Sequence, residues 1–189
     1  MKDDAGTRPR VAHTGGTEMS ITPFLWFDDA AEQAAERYVS IFANSRIVDV
    51  ARYAEGGPQP AGTAFNVTFV LDGLEIQALN GGPGHPHSDA FSLQIMVPDQ
   101  EECDRVWDAL LADGGTPGQC GWLVDRWGLS WQVIPEALPT LISDPDPERA
   151  GRALNAMFTM SKIDVATLRA AADGVSRVGA GVEHPGARV

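Results

Sequence analysis

The stretches 73-GLEIQAL-79 and 128-GLSWQVI-134 decide how this chain is read. Gly, Leu and Gln coincide, and the other apolar positions match in type. Each stretch follows a turn signal: Leu71-Asp72-Gly73 is a tight hairpin, and Asp125-Arg126-Trp127-Gly128 is a longer one. Each therefore reads as the last strand of a repeated unit.

Working outward, the upstream parts repeat as well. Residues 21-ITPFLWF-27 suit a buried strand. In 28-DDAAEQAAERYVSIF-42, Asp29 with Glu32 three residues on predicts a capping box. Ala31, Ala34, Ala35, Tyr38, Ile41 and Phe42 then form one apolar helical face, with Asn44 suited to the left-handed exit. Residues 91-FSLQIMVPDQEECDRVWDALLAD-113 repeat the plan, with Asp99 and Glu102 as cap and Cys103, Val106, Trp107 and Leu110 as the face; Gly114-Gly115 ends the helix. The first unit also holds strands at Ser45–Tyr53 and Thr63–Leu71, while the second is shorter in its middle. Each unit is thus strand-helix-strand-strand-strand.

The expected fold class is α+β: paired βαβββ modules forming a curved mixed sheet, plus C-terminal helices. One face of each sheet is covered by its helix, and two open faces side by side can make a shared trough. The expected division is a disordered extension over 1–19, a single domain over 20–172 and a flexible tail over 173–189. Within the domain, module one spans about 20–83, module two about 90–135 and the C-terminal helices about 136–172. Met19 is an alternative start. His13 and His184 fall in the tails and are not read as ligands.

Composition removes several function classes. The chain has 189 residues, 43% of them apolar and 21% charged, and a formal net charge of -12. That charge disfavours nucleic acid and anionic membrane, which reward dense Lys and Arg. No apolar run is long enough for a membrane span. Two cysteines are too few for a disulfide framework or a Cys-rich zinc site, and they suit a reducing cytoplasm.

The duplicated unit resembles the vicinal oxygen chelate superfamily. Within it, 21-ITPFLWFDDAAEQAAERYVSIFANS-45, 78-ALNGGP-83, 118-GQCGWLVDRWGLSWQVIP-135 and 141-LISDPDPERAGRALNAM-157 resemble the PhnB-like proteins, whose domain carries the label 3-demethylubiquinone 3-methyltransferase. The resemblance covers about residues 20–172. It implies a divalent metal held by residues on the first and last strand of each module. The corresponding positions here are Gln77 and Gln132 on the last strands, and positions near Thr22 and Ser92 on the first. None is a carboxylate or histidine, and four neutral donors leave a dication uncompensated. No metal site and no cofactor are therefore assigned.

Strand parity places Glu75, Gln77 and Leu79, and equally Ser130, Gln132 and Ile134, on the trough side by this analogy. Gln77 and Gln132 either contact a ligand or hydrogen-bond within the barrel. The candidate ligand-binding set is Trp26, Glu75, Gln77, Asn80, Cys120, Trp122 and Gln132, with no catalytic residue assigned. Trp131 alternates away from Gln132 and is expected in the core, while Trp127 lies in the turn. Cys103 reads as a core residue. Asn80-Gly81-Gly82-Pro83 lets the backbone approach a ligand or a partner, or is a plain crossover turn.

The expected function is binding of a small molecule by a homodimer, without the usual metal. One alternative is a metal-dependent enzyme of the glyoxalase or dioxygenase type with His85, His87 or Glu75 as atypical ligands, aided by Asp89. Another is the methyltransferase of the family label. For the latter, neither 54-AEGGPQPAG-62 nor 80-NGGPG-84 opens a helix as an S-adenosylmethionine site would require. The C-terminal apolar residues, including Leu154, Met157, Phe158, Met160, Ile163 and Leu168, either clasp a partner or pack on their own barrel.

Overall fold

A computed structural model describes residues 21–175. Expectations about 1–19, most of 173–189, His13 and His184 lie outside the described residues.

The chain runs β1 (Phe24–Phe27), α1 (Ala31–Ile41), β2 (Arg46–Arg52), β3 (Ala64–Leu71), β4 (Leu74–Asn80), β5 (Ser92–Val97), α2 (Gln100–Leu111), β6 (Thr116–Pro117), β7 (Trp122–Val124), β8 (Ser130–Pro135), α3 (Ala137–Ile142), α4 (Pro147–Met157) and α5 (Val165–Ala172). The two strand-helix-strand-strand-strand units are present. They build two four-stranded mixed sheets in equivalent order, β1-β4-β3-β2 and β5-β8-β7-β6. In each, the first strand runs parallel to the last and the others pair antiparallel. The short middle of the second unit appears as β6 and β7, of two and three residues.

Local chemistry explains most boundaries. Asp72 and Gly73 both take positive φ (44° and 87°), which closes the two-residue hairpin between Leu71 and Leu74. Asp99 caps α2, accepting from the Glu102 backbone N–H at 2.9 Å. Pro147 opens α4 behind the Asp146 cap. The expected cap at Asp29 is overturned. Ala30 occupies the cap position without a side-chain bond, and Asn80 Oδ1, from the end of β4, accepts the Ala31 N–H at 2.7 Å.

One apolar core joins the helix-covered faces of both sheets. Leu25, Phe27, Val67, Phe69, Ile76 and Ala78 of the first module meet Val97, Leu123, Trp131 and Val133 of the second around α1 and α2. A second cluster gathers Leu138, Leu141, Ala153, Met160, Ile163, Leu168 and Ala172 around Ile134. The C-terminal helices therefore pack in cis on the second module, while Leu154 and Phe158 stay exposed. Among the described residues, no helix is long and apolar enough to cross a membrane.

Candidate functional site

Strand alternation sorts the last strands cleanly in the first module. Ile76 and Ala78 are fully buried beneath the helix side, whereas Glu75 is exposed and Gln77 and Leu79 are half-buried on the other. Gln77 lies opposite Phe24 on β1 and Thr68 on β3. Thr22 precedes β1 rather than lying in it.

In the second module both faces of β8 are covered, because Ile134 is taken up by the C-terminal cluster. Gln132 Nε2 donates to Ser92 Oγ at 2.8 Å, and its Oε1 accepts from Gln94 Nε2 at 3.2 Å. Trp122 is paired opposite Gln132 across β7 and β8. Beside them lies a groove of about 400 Å3 lined by Cys120, Trp122, Val124, Ser130, Gln119 and Asp89. Ser130 is 1% exposed, and its hydroxyl has no hydrogen-bond partner.

The edge of this groove is held by the segment after α4. Cys120 N–H donates to Met160 O (2.8 Å), Gly121 N–H to Ser161 O (2.7 Å), and Ser161 Oγ to Gly118 O. Cys120 sits at φ 58°, a left-handed conformation that is costly for a residue with a Cβ. Gly121, at φ 85°, has no room for a side chain: a Cβ there would meet Val133 O at 2.9 Å. The second cysteine, Cys103, is buried at the α2 face, and burial pushes its thiol up to about 11.

Trp26 and Asn80 stand apart from this groove. The Trp26 indole N–H donates to Gly82 O at 2.8 Å, and the ring lies so close to Gly81 that any Cβ would overlap it. The crossover glycines thus serve this indole. Asn80 projects to the helix side; besides capping α1, its Nδ2 donates to Ala64 O at 3.0 Å. Asn80 is therefore engaged at both ends of its amide by backbone.

The crossover loop returns over the end of β1. The His85 ring packs on Trp26 (centroids 4.4 Å) and His87 meets Phe27 edge-on at 5.2 Å. Burial holds His87 below the ordinary imidazole range, against the Asp125 charge and a backbone hydrogen bond to Trp26. Among the described residues, no group of three or more His, Cys, Asp or Glu is arranged to hold a metal ion.

Asp125 is the functional-looking residue that sequence reading passed over. It is buried, and its carboxylate accepts from Tyr38 Oη (2.7 Å), Trp131 Nε1 (2.9 Å) and the backbone N–H groups of Trp127 and Leu129 (2.9 and 3.1 Å). The turn pattern signalled only the backbone half of this role. Trp131 is buried as expected, stacked on Phe42.

The donor set at the superfamily's metal positions does not fit a dication. Gln77, Gln132, Ser92 and Thr22 are all uncharged, and Gln132 and Ser92 are bonded to each other. Nor is any described cavity lined by both Gln77 and Gln132.

Comparison with known proteins agrees with the architecture. A family model described as 3-demethylubiquinone-9 3-methyltransferase matches residues 19–134. A solved Bacillus cereus PhnB protein carrying the same methyltransferase label is 35% identical; the match covers 62% of this chain and 99% of that one, with a TM-score of 0.57. A solved protein from Pseudomonas aeruginosa is 22% identical over 63% of this chain and 98% of that one, with a TM-score of 0.51, a likeness of fold alone. No curated protein matches the sequence.

Proposed function

The chain belongs to the PhnB-like 3-demethylubiquinone-9 3-methyltransferase family of the vicinal oxygen chelate superfamily, and we propose that it binds a small molecule on the outer face of the second sheet without a metal. The groove beside β7 and β8 carries this reading. Trp122 offers a flat apolar surface, while Ser130 brings a buried hydroxyl with no partner of its own. Buried hydroxyls are rarely left unpaired, because an unmade hydrogen bond there is costly. A ligand with one hydrogen-bonding group over an apolar or aromatic body satisfies both. Cys120 completes the wall, Gln132 lies next to it on the same strand face, opposite Trp122, and Glu75 and Gln77 present the equivalent face of the first sheet.

The neutral donor set supports metal-independent binding. Methyl transfer, which the family label names, finds no support in a Gly-rich strand-to-helix turn here. Phe24 and Met96, 55% and 47% exposed on the outer faces, support pairing with a second copy. The two free cysteines support a reducing, cytoplasmic setting.

Native mass spectrometry of the purified full chain tests the binding. A co-purified adduct that disappears in Trp122→Ala and Ser130→Ala supports the groove. An adduct retained in both variants contradicts it.

A further inference from the structure

The groove at Trp122 also restricts the charge of what it can hold. Its lining contains one ionised side chain, Asp89, and no lysine, arginine or histidine. The backbone does not make up for this. Gln119–Trp122 form a tight turn, closed by Trp122 N–H donating to Gln119 O, in which Cys120 and Gly121 both take positive φ. Successive N–H groups in turns of this kind can cradle an anion. Here they are spent: Cys120 N–H donates to Met160 O and Gly121 N–H to Ser161 O, while Gly118 N–H donates to Trp122 O. An anion would meet a carboxylate and no free N–H on this rim.

A cation gains little here. Asp89 is exposed to water, where an ion pair contributes weakly, and the Trp122 and Val124 surface would strip the ion's hydration without replacing it. The group that lacks a partner is instead neutral. Ser130 is 1% exposed, lines the groove and leaves its hydroxyl unpaired. A hydroxyl can donate as well as accept. A carboxamide answers this lining at no cost in charge: its carbonyl accepts from Ser130, its N–H groups donate to Asp89, and an attached ring lies on Trp122.

We propose, resting on the reading of this groove as the binding site, that it selects an uncharged aromatic carboxamide, bonded to Ser130, and that Asp89 is the residue that turns anions away.

Calorimetric titration of the full chain compares 3-phenylpropanamide with 3-phenylpropanoate and 3-phenylpropylamine, which share its body and differ in charge. The amide is expected to bind saturably, at least about tenfold tighter than either ion. Ser130→Ala should weaken the amide about fivefold without lowering the thermal midpoint, since the lost hydroxyl has no partner in the chain itself. Asp89→Asn should raise the affinity for the propanoate about fivefold. An amide that shows no saturable binding at millimolar concentration overturns the proposal, while occupancy of the groove is read separately from the co-purified adduct. If either ion binds as tightly as the amide, and is lost in Trp122→Ala, the groove stands as a site and the neutral class falls. An amide unaffected by Ser130→Ala, or a propanoate unaffected by Asp89→Asn, equally overturns the proposal.

Discussion

The Tyr38 hydroxyl donates to Asp125 Oδ2 at 2.7 Å, tying the helix of the first module to the last turn of the second. The same carboxylate holds Trp131 and two backbone N–H groups. Removing it strands four donors at once, three of them in buried bonds. Asp125→Ala is therefore expected to cost about 3–5 kcal/mol, and Tyr38→Phe only about 1–2 kcal/mol, since the phenyl ring still packs. Denaturant unfolding measures both, and equal, small losses would refute the hub.

The same bond gives an alkaline signature. Burial, the Asp125 charge and the hydrogen bond hold the Tyr38 phenol well above its ordinary value. A pKa raised in the folded state means that folding favours the protonated form. Its contribution is fully present below the unfolded value of about 10 and is lost as pH climbs beyond it. Stability of the native chain should fall above about pH 10 more steeply than that of Tyr38→Phe. Parallel slopes would contradict this.

His87 works on the acid side. Burial lowers its pKa in the folded state, so the unfolded chain binds the proton more readily. The associated stability is present above the unfolded value of about 6.5 and is lost as pH falls below it. His87→Gln should flatten the stability profile between about pH 6.5 and 5. An unchanged slope would place the ring in water.

Gly81 is set by the Trp26 indole rather than by its own backbone angles. Gly81→Ala forces the ring aside and should cost about 1–3 kcal/mol. In Trp26→Ala the space opens, so Gly81→Ala added to it should cost much less, a coupling that a double-mutant cycle reads directly. Additive losses would remove the contact from the account.

The repeat and its element order were legible because each carries a local signal: alternation along strands, a helical apolar face, a cap or a turn residue. Asp99 and Pro147 sit where their own sequence neighbours say they should. Asn80 and Asp125 were not legible in the same way. Both act across tens of residues, and an Asp or Asn near a turn looks alike whether its side chain faces solvent or a distant donor. Burial of Ile134 likewise depends on helices that return later in the chain. In the candidate site, strand parity anticipated the outward Gln77, but only the fold separates it from the groove that Cys120, Trp122 and Ser130 line. His87 was read as part of a flexible loop, since only tertiary contact buries it against Phe27.

Metal content tests the central claim of metal-independent binding most directly. Elemental analysis of the purified full chain, paired with thermal shift against Ni, Mn, Zn and Fe(II), should find no stoichiometric metal and no metal-specific stabilisation. Stoichiometric metal that is lost in His85→Ala, His87→Ala or Glu75→Ala would contradict the account and establish a metal centre in this chain.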